Sequence, residues 1–343
     1  MLLQDPLDLP DPPDPPDAAA VRAAASLLAA GELVAFPTET VYGLGARADD
    51  DAAVARIFAA KGRPADHPLI VHVASREAAL AFSPQPSALA QRLMAAFWPG
   101  PLTLIVPRHP ARALAAAGGQ ASIGLRMPAH PMALALLREA ADMGVPGVAG
   151  PSANRFGRVS PTTAAHVRQE FGPALHVLDG GACQSGIESA IVDCTRERPA
   201  LLRPGQLSRG EIERVLGQPL AAPDALSPRA PGTLAAHYAP QARVSLLDTP
   251  ALVARLAARL AAGPTGTGGL AGGVGVYSRF APPSGADWLW RQMPDDAADV
   301  AHELFAVLRE FDGAGVAQLW VEQPPAAPDW DGVRDRLQRA ATD

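Results

Sequence analysis

Several residue types are scarce in the sequence, and each scarcity argues against a class of protein. The 343 residues include only two cysteines, Cys183 and Cys194, so neither a disulfide framework nor a cysteine-based zinc site is expected. No apolar run reaches the roughly eighteen residues that a membrane-spanning helix needs. The beginning of the chain lacks the basic and apolar stretches of a secretory signal. These features predict a cytoplasmic protein.

Net charge is also small once one segment is set aside. The formal charge is −6 at pH 7, and residues 1–17 hold five aspartates without a lysine or arginine. Without those five charges the remainder is near −1, so composition predicts no basic surface for a nucleic acid. The Pro/Asp-rich arm itself is typical of a solvated, extended segment. Its role stays open.

Lysine and asparagine occur once each, as Lys61 and Asn154. Arginine supplies the other strongly basic side chains, so Lys61 indicates a position that needs a compact ammonium rather than a planar guanidinium. Chance survival of one lysine is the alternative explanation.

The alternation of apolar segments divides the chain into domains. Short apolar strands alternate with alanine-rich amphipathic helices over residues 18–217, which predicts an α/β domain with a mixed, twisted sheet. Residues 218–242 contain five prolines and little periodicity, so they are predicted to form a linker. Residues 243–343 show a second β-α-β-β-α-β-α series, which predicts a small Rossmann-like α/β domain without the GxGxxG motif.

Four clusters of polar residues and glycines follow predicted strands of the first domain. They are PTETVYGLG (37–45), KGRPADHPL (61–69) with His72 beyond it, SIGLRMP (122–128), and GPSAN (150–154) with Ser160 beyond it. Each has an ordinary alternative, such as a capped turn or, for His72, a core histidine. Together they place cations, hydroxyls and glycines at successive strand ends, the usual position of a nucleotide on an α/β sheet.

The chemistry of these side chains indicates a phosphate-bearing ligand and a carboxylate. Lys61 and Arg63 combine a point charge with a bidentate fork, which suits a triphosphate. Arg126 ends a predicted strand, where a guanidinium can bind a carboxylate. The 150–154 loop can cradle an anion with its backbone N–H groups, although no Walker A motif occurs. No metal-ligand set is predicted.

The motifs carry a resemblance to a known family. In order, PTETVYGLG, KGRPADHPLIVHV, FWPGPLTLIV, SIGLRMP, GPSANRFGRVSPT, ESAIVD and LLRPGQ resemble the YrdC-like threonylcarbamoyl-AMP synthases. The linker APGTLAAHYAP and the C-terminal domain resemble the longer, two-domain branch, and only the acidic arm lies outside the resemblance. It implies a YrdC-like twisted open mixed sheet with a ligand cavity. It also implies synthesis of threonylcarbamoyl-AMP and pyrophosphate from L-threonine, bicarbonate or CO2, and ATP, for tRNA threonylcarbamoyladenosine modification.

By motif position, the resemblance also assigns residues to each ligand. Lys61 and Arg63 would be catalytic, with Mg²⁺ accompanying ATP. L-threonine would contact Thr40, His72, Arg126 and Ser189. ATP would contact Arg63, His67, Ser122, Gly150, Ser152, Asn154, Ser160 and Arg203, with Tyr238 of the linker closing over the nucleotide. The product would pass to a separate tRNA threonylcarbamoyl-transferase complex, with at most a weak direct contact to tRNA and none to a membrane.

Three departures from the family pattern and three rival functions accompany this interpretation. Ala190, Gly150 and the Gly-Thr-Leu of residues 232–234 stand where the family often has threonine, alanine and a Gly-Met-Lys type sequence. An RNA-binding or ribosome-associated module could use the same fold. Hydrogenase-maturation proteins also contain such a domain, but they need cysteine-rich zinc motifs that two cysteines cannot supply. The third rival is a stand-alone interaction or regulatory role for the C-terminal domain, although a role in holding the linker is preferred because no catalytic constellation is predicted there. The linker could be a lid or a docking strap, and oligomeric state stays open.

Overall fold

The computed structural model describes residues 17–233, 237–262, 273–284 and 288–341. Residues 1–16 of the acidic arm and part of the linker therefore lie outside the described residues. Within these ranges the chain forms two compact units. The first unit comprises residues 17–156 and 160–233, and the second comprises residues 157–159 and 237–341.

The described part of the first unit alternates strands and helices, as the periodicity predicts. The strands are β1 (Val34–Phe36), β2 (Gly43–Arg47), β3 (Ile70–His72), β4 (Leu102–Pro107), β5 (Ser122–Arg126), β6 (Val148–Ala149), β7 (His176–Val177), β8 (Ala190–Asp193) and β9 (Ala200–Arg203). The helices are α1 (Ala18–Ala29), α2 (Asp51–Lys61), α3 (Arg76–Ala79), α4 (Ala88–Phe97), α5 (Pro131–Asp142), α6 (Ala164–Phe171) and α7 (Arg209–Leu216).

Local sequence signals explain where the helices begin and end. The Asp17 and Asp50 carboxylates accept backbone N–H bonds at the starts of α1 and α2, and Gly62 ends α2 with a left-handed φ of 63°. Ser208 and Glu211 form a reciprocal capping box at the start of α7. These caps fix the ends of α2 and so fix the position of Lys61, its last residue.

One mixed sheet organises the first unit, in the order β7-β1-β2-β6-β3-β5-β4-β8-β9 among the described residues. β3 runs parallel to β5, whereas β4 runs antiparallel to β5 and parallel to β8. The predicted mixed sheet of an α/β fold is confirmed.

The two faces of this sheet differ in what covers them. One face carries Val71, Leu104 and Leu125, which join a large core with residues of α2, α4 and α7. On the other face, α1 and α5 pack on Val34, Phe36 and Val148. Farther along that second face, Ile70, Ile105, Ile191 and Leu202 pack with Ala230 of the segment after α7. Polar side chains emerge beside this smaller apolar cluster.

Strand β2 was not predicted, because GLGAR has few of the branched or aromatic residues that mark strands. Its pairing with β1 places Gly43 and Gly45 against the Phe36 ring, where a Cβ atom on either glycine would lie 3.0 Å from ring carbons. The strand therefore depends on the absence of side chains at its glycines.

The second unit contains a parallel sheet, as predicted for a Rossmann-like domain. Its described strands are β10 (Arg243–Leu247), β11 (Val274–Ser278), β12 (Trp288–Gln292) and β13 (Gln318–Glu322), in the order β10-β13-β11-β12. The helices are α8 (Thr249–Ala261), α9 (Ala297–Gly313) and α10 (Asp331–Ala340). Leu252, Leu256, Val276 and Trp320 contribute to its core. None of the helices in the described ranges of either unit is both long and apolar enough to cross a membrane.

Candidate active site

Several predicted site residues of the first unit lie on the face that carries the smaller apolar cluster. His72 and Arg126 are register partners on the parallel strands β3 and β5, so their side chains leave the sheet on the same side. The same face carries the buried Gly124, where an added Cβ would lie 3.2 Å from Ile105 and 3.4 Å from Thr103. The Ile105 and Thr103 side chains therefore pack directly against the backbone of β5 at this glycine.

Arg126 is buried, with only 3% of its surface exposed, and several groups hold its guanidinium. Its Nη1 donates to Thr40 Oγ1 at 2.8 Å and its Nε to the Gly100 carbonyl at 3.3 Å. Its Nη2 lies 2.8 Å from Glu39 Oε1 in a buried ion pair. Nη2 makes no hydrogen bond with any described residue. The guanidinium is therefore fixed while one nitrogen remains available to a ligand.

The turn after β1 presents Glu39 and Thr40 to Arg126. Thr38 Oγ1 donates to the Val41 carbonyl at 2.6 Å and accepts the backbone N–H groups of Thr40 and Val41. This is a hydroxyl-stabilised turn of the kind that threonine favours. The sequence predicted Thr40 here, but it assigned no role to Glu39.

His72 is a neutral imidazole in this environment. Burial, followed by the nearby Arg126 charge, lowers the pKa of His72 from 6.5 to about 3. Its Nδ1 is without a hydrogen-bond partner in the described part of the chain. A Cβ on Gly150 would lie 3.0 Å from that nitrogen. Because Gly150 has no side chain, its backbone can lie close to the His72 ring.

Ser189 and Arg203, predicted for different ligands, contact each other directly. Arg203 Nη2 donates to Ser189 Oγ at 3.2 Å and its Nε to the Ser189 carbonyl at 3.0 Å. Ser189 Oγ lies 2.8 Å from Thr103 Oγ1, which belongs to the same sheet face. The structure therefore brings the start of β8 and the end of β9 to the start of β4. Thr103 lies within the FWPGPLTLIV motif, but the sequence assigned it no role.

Lys61 organises the loop that contains the single asparagine. Its buried ammonium donates to the Ser152 carbonyl at 2.6 Å and to the Asn154 carbonyl, and its own carbonyl accepts the Phe156 N–H. Burial, and then the Arg63 charge, holds the pKa of Lys61 well below its usual value. A compact ammonium fits between these two carbonyls, which explains in structural terms why this position is a lysine.

Arg63 and His67 flank the same loop. The Arg63 guanidinium lies 5.9 Å from the Phe156 ring centroid, and the His67 and Phe156 rings are 5.5 Å apart. Nearby, Ser160 Oγ donates to Glu188 Oε1 at 2.5 Å. Glu188 is 7% exposed. Sequence motifs indicated the segment that contains Glu188, but not its contact with Ser160.

Two predicted nucleotide residues, Ser122 and Tyr238, have no described contact with the residues above. Ser122 begins β5, four residues before Arg126, which is about 13 Å along a strand. Tyr238 belongs to the second unit, where its buried ring lies 5.4 Å from Phe305 and under the Arg336 guanidinium. Its backbone has a φ of 61°. Closure of Tyr238 over a nucleotide stays a prediction.

Of the three departures from the family pattern, Ala190 points away from these polar groups. Its side chain belongs to the large core on the opposite face of the sheet, which α2, α4 and α7 cover. The change at Ala190 therefore leaves the lining of the candidate site unaltered.

The described residues contain no group of three or more His, Cys, Asp or Glu side chains that could hold a metal ion. A magnesium ion at this site would thus depend on ligands from the phosphates of a nucleotide.

Comparison with known proteins gives matches along nearly the whole chain. The Sua5/YciO/YrdC family model, described as telomere recombination, matches residues 26–205. The model described as the C-terminal domain of threonylcarbamoyl-AMP synthase matches residues 207–342. The threonylcarbamoyl-AMP synthase of Pyrococcus abyssi is 39% identical over 94% of both chains. That of Bacillus subtilis is 39% identical over 93% of this chain and 92% of its own.

Solved structures extend the likeness to the three-dimensional fold. P. abyssi Sua5 complexed with L-threonine has a TM-score of 0.81 at 36% identity, covering 95% of each chain. A double variant of P. abyssi Sua5 has a TM-score of 0.84 at 36% identity, covering 95% of this chain and 93% of its own.

Proposed function

Because the chain belongs to the Sua5/YciO/YrdC family, in its two-domain Sua5 type, we propose that it is a threonylcarbamoyl-AMP synthase. It condenses L-threonine, bicarbonate or CO2, and ATP into threonylcarbamoyl-AMP and pyrophosphate. The two relatives that this chain matches over nearly their whole length both carry this enzyme name, and neither is named as an RNA-binding protein. The enzyme interpretation is therefore preferred to the RNA-binding alternative.

The observation that carries the proposal is the buried Arg126 guanidinium. Its Nη2 is paired with Glu39 Oε1 but donates no hydrogen bond to a described residue, while Thr40 and Gly100 fix its other nitrogens. A fixed guanidinium with an available N–H group is suited to a carboxylate. Thr40, His72 and Ser189 would complete the threonine site, because all of them lie close to Arg126 or to its neighbour Thr103.

The chemistry requires position more than a strong base. The neutral amine of threonine captures CO2 or bicarbonate to form a carbamate, whose oxygen then attacks the α-phosphorus of ATP in line and expels pyrophosphate. Lys61 would hold the 152–154 loop against the nucleotide, and Arg63 would neutralise charge that develops on the phosphates. Mg²⁺ bound to the phosphates would supply further neutralisation.

Contacts with ATP are proposed for His67, Ser122, Gly150, Ser152, Asn154, Ser160, Arg203 and Tyr238. We further propose that the enzyme works in the cytoplasm and passes its product to a tRNA threonylcarbamoyl-transferase complex. Free carbamates are short-lived, so exclusion of water by residues 237–240 of the linker would favour product formation.

Pyrophosphate release by the purified protein tests the function. The assay contains ATP, Mg²⁺ and bicarbonate, and it compares L-threonine with L-serine and with no amino acid. We expect release that depends on both L-threonine and bicarbonate. Release without an amino acid, or ATP binding without any release, would contradict the synthase function.

A further inference from the structure

Glu39 is a buried carboxylate that the proposed reaction does not yet use. It lies in the turn after β1 and is only 5% exposed. Its Oε1 is 2.8 Å from Arg126 Nη2, but neither carboxylate oxygen accepts a hydrogen bond from any described residue. An ionised carboxylate has about four acceptor positions, so most of the capacity of Glu39 is unused.

Leaving such a group without hydrogen bonds costs free energy, and native proteins rarely do so without a reason. Arg126 Nη2, directly beside it, likewise donates no hydrogen bond in the part of the chain that the structure describes. A strong acceptor and a strong donor therefore lie next to each other, both buried and both incomplete. An α-amino acid carries the complementary pair, an ammonium and a carboxylate on one carbon atom.

We propose that Glu39 binds the ammonium group of the substrate amino acid and accepts the proton that its nitrogen must lose before carbamate formation. This inference rests on the proposed function, in which Arg126 binds the carboxylate of the same molecule. The proton moves from the ammonium to a Glu39 oxygen, leaving a neutral amine and a protonated carboxyl. The amine then reacts with bicarbonate to give a carbamate and water, and Glu39 later releases its proton to solvent.

Other basic groups nearby are less suited to this role. His72 Nδ1 is also without a described partner, but burial and Arg126 lower the pKa of this imidazole to about 3. Glu188 accepts the Ser160 hydroxyl at 2.5 Å. Lys61 donates to two backbone carbonyls. Glu39 combines a carboxylate with direct contact to the predicted carboxylate-binding arginine.

A comparison of two ligands distinguishes loss of ammonium binding from a structural effect of the Glu39 substitution on Arg126. L-threonine and (R)-3-hydroxybutanoate share the carboxylate and the hydroxyl, but only threonine has an ammonium group. Binding of each is measured by calorimetry with the wild type, Glu39→Gln and Glu39→Asp. Glu32→Gln is the matched control, because its carboxylate is 54% exposed and pairs with Arg56 on the surface.

We expect Glu39→Gln to weaken L-threonine binding by about tenfold or more and to leave hydroxybutanoate binding within about twofold. Glu39→Asp should recover part of the loss, and Glu32→Gln should behave as the wild type. Equal loss for both ligands would reduce Glu39 to a positioning residue for Arg126 and overturn the inference, as would no loss for either.

A measurement on the wild type keeps the inference testable if the variants do not fold. The unaltered protein should bind L-threonine at least about tenfold more tightly than (R)-3-hydroxybutanoate, and equal affinities would contradict the role of Glu39. Failure of the proposed function would look different, because the wild type would then release no pyrophosphate in response to threonine.

Discussion

At the scale of single residues, the lone lysine has a more local task than its sequence suggested. The rarity of Lys61 indicated a compact charge near phosphates. In the structure its ammonium binds carbonyl groups of the loop that carries Ser152 and Asn154. We therefore expect the compact charge to act by fixing that loop.

Replacement of Lys61 by arginine should therefore lower activity although the charge is kept. The larger planar guanidinium does not fit between two carbonyls in a site that is 3% exposed, so the 152–154 loop would shift. We expect threonine-dependent pyrophosphate release to fall by about 10²-fold, the effect of misplacing a site by about 1 Å. Arg56→Lys, on the exposed side of the same helix, is the control and should keep full activity. Near wild-type turnover of Lys61→Arg would refute the point-charge argument.

His72 should make the stability of the protein depend on pH. Its pKa is about 3 in the folded state and 6.5 in the unfolded state, so the unfolded state binds more protons between these values. Stability is therefore lost as the pH falls below 6.5. Between pH 7 and pH 5 this loss is about 2 kcal/mol of unfolding free energy.

Urea denaturation at the two pH values measures this loss. Other groups also titrate, so the test compares the wild type with His72→Gln. The variant should lose about 2 kcal/mol less than the wild type between pH 7 and pH 5. The same loss in both proteins would mean that the pKa of His72 is not lowered by folding, which would contradict the prediction.

At the scale of elements, the pairing of β8 and β9 depends on one close backbone approach. Gly205 follows β9, and a Cβ added to it would lie 2.3 Å from the backbone nitrogen of Ala190, the first residue of β8. The Arg-Pro-Gly sequence thus keeps Arg203 beside Ser189 because glycine alone leaves room for this approach.

The change Gly205→Ala should therefore separate these strands. We expect it to lower the free energy of unfolding by about 1–3 kcal/mol, the usual cost of overpacking. Gly210→Ala in α7 meets no atom within 4 Å and should instead raise it by about 0.5 kcal/mol. Urea denaturation of both variants checks the difference in sign, and a harmless Gly205→Ala would show that the backbone of β8 can move away.

At the scale of the whole molecule, the described chain provides anchors for ligands but no cluster of metal ligands. We therefore expect a chelator to separate two activities of the protein. EDTA should abolish pyrophosphate release, because the metal is needed with ATP, and should leave calorimetric L-threonine binding unchanged. Loss of threonine binding in EDTA would instead require a metal held by the protein itself.

The sequence determined most elements of the fold and the identity of most candidate ligand residues. Apolar periodicity, N-caps such as Asp50, and the glycine after α2 specify helices locally, so their positions can be predicted without tertiary contacts. The motifs likewise marked Arg126, because a guanidinium at a strand end can bind a carboxylate, and Lys61, because it is the single lysine of an arginine-rich chain.

Only the tertiary structure decided which of these residues meet. Strand β2 can pair with β1 because Gly43 and Gly45 leave room for the Phe36 ring. The local strand propensity of β2 does not indicate this contact. Glu39 is 87 positions from Arg126 in the chain, and Thr103 is 86 positions from Ser189, yet each pair is in contact at 2.8 Å. Such contacts follow from strand order and register, and these are set by the packing of the whole sheet rather than by any segment of the sequence.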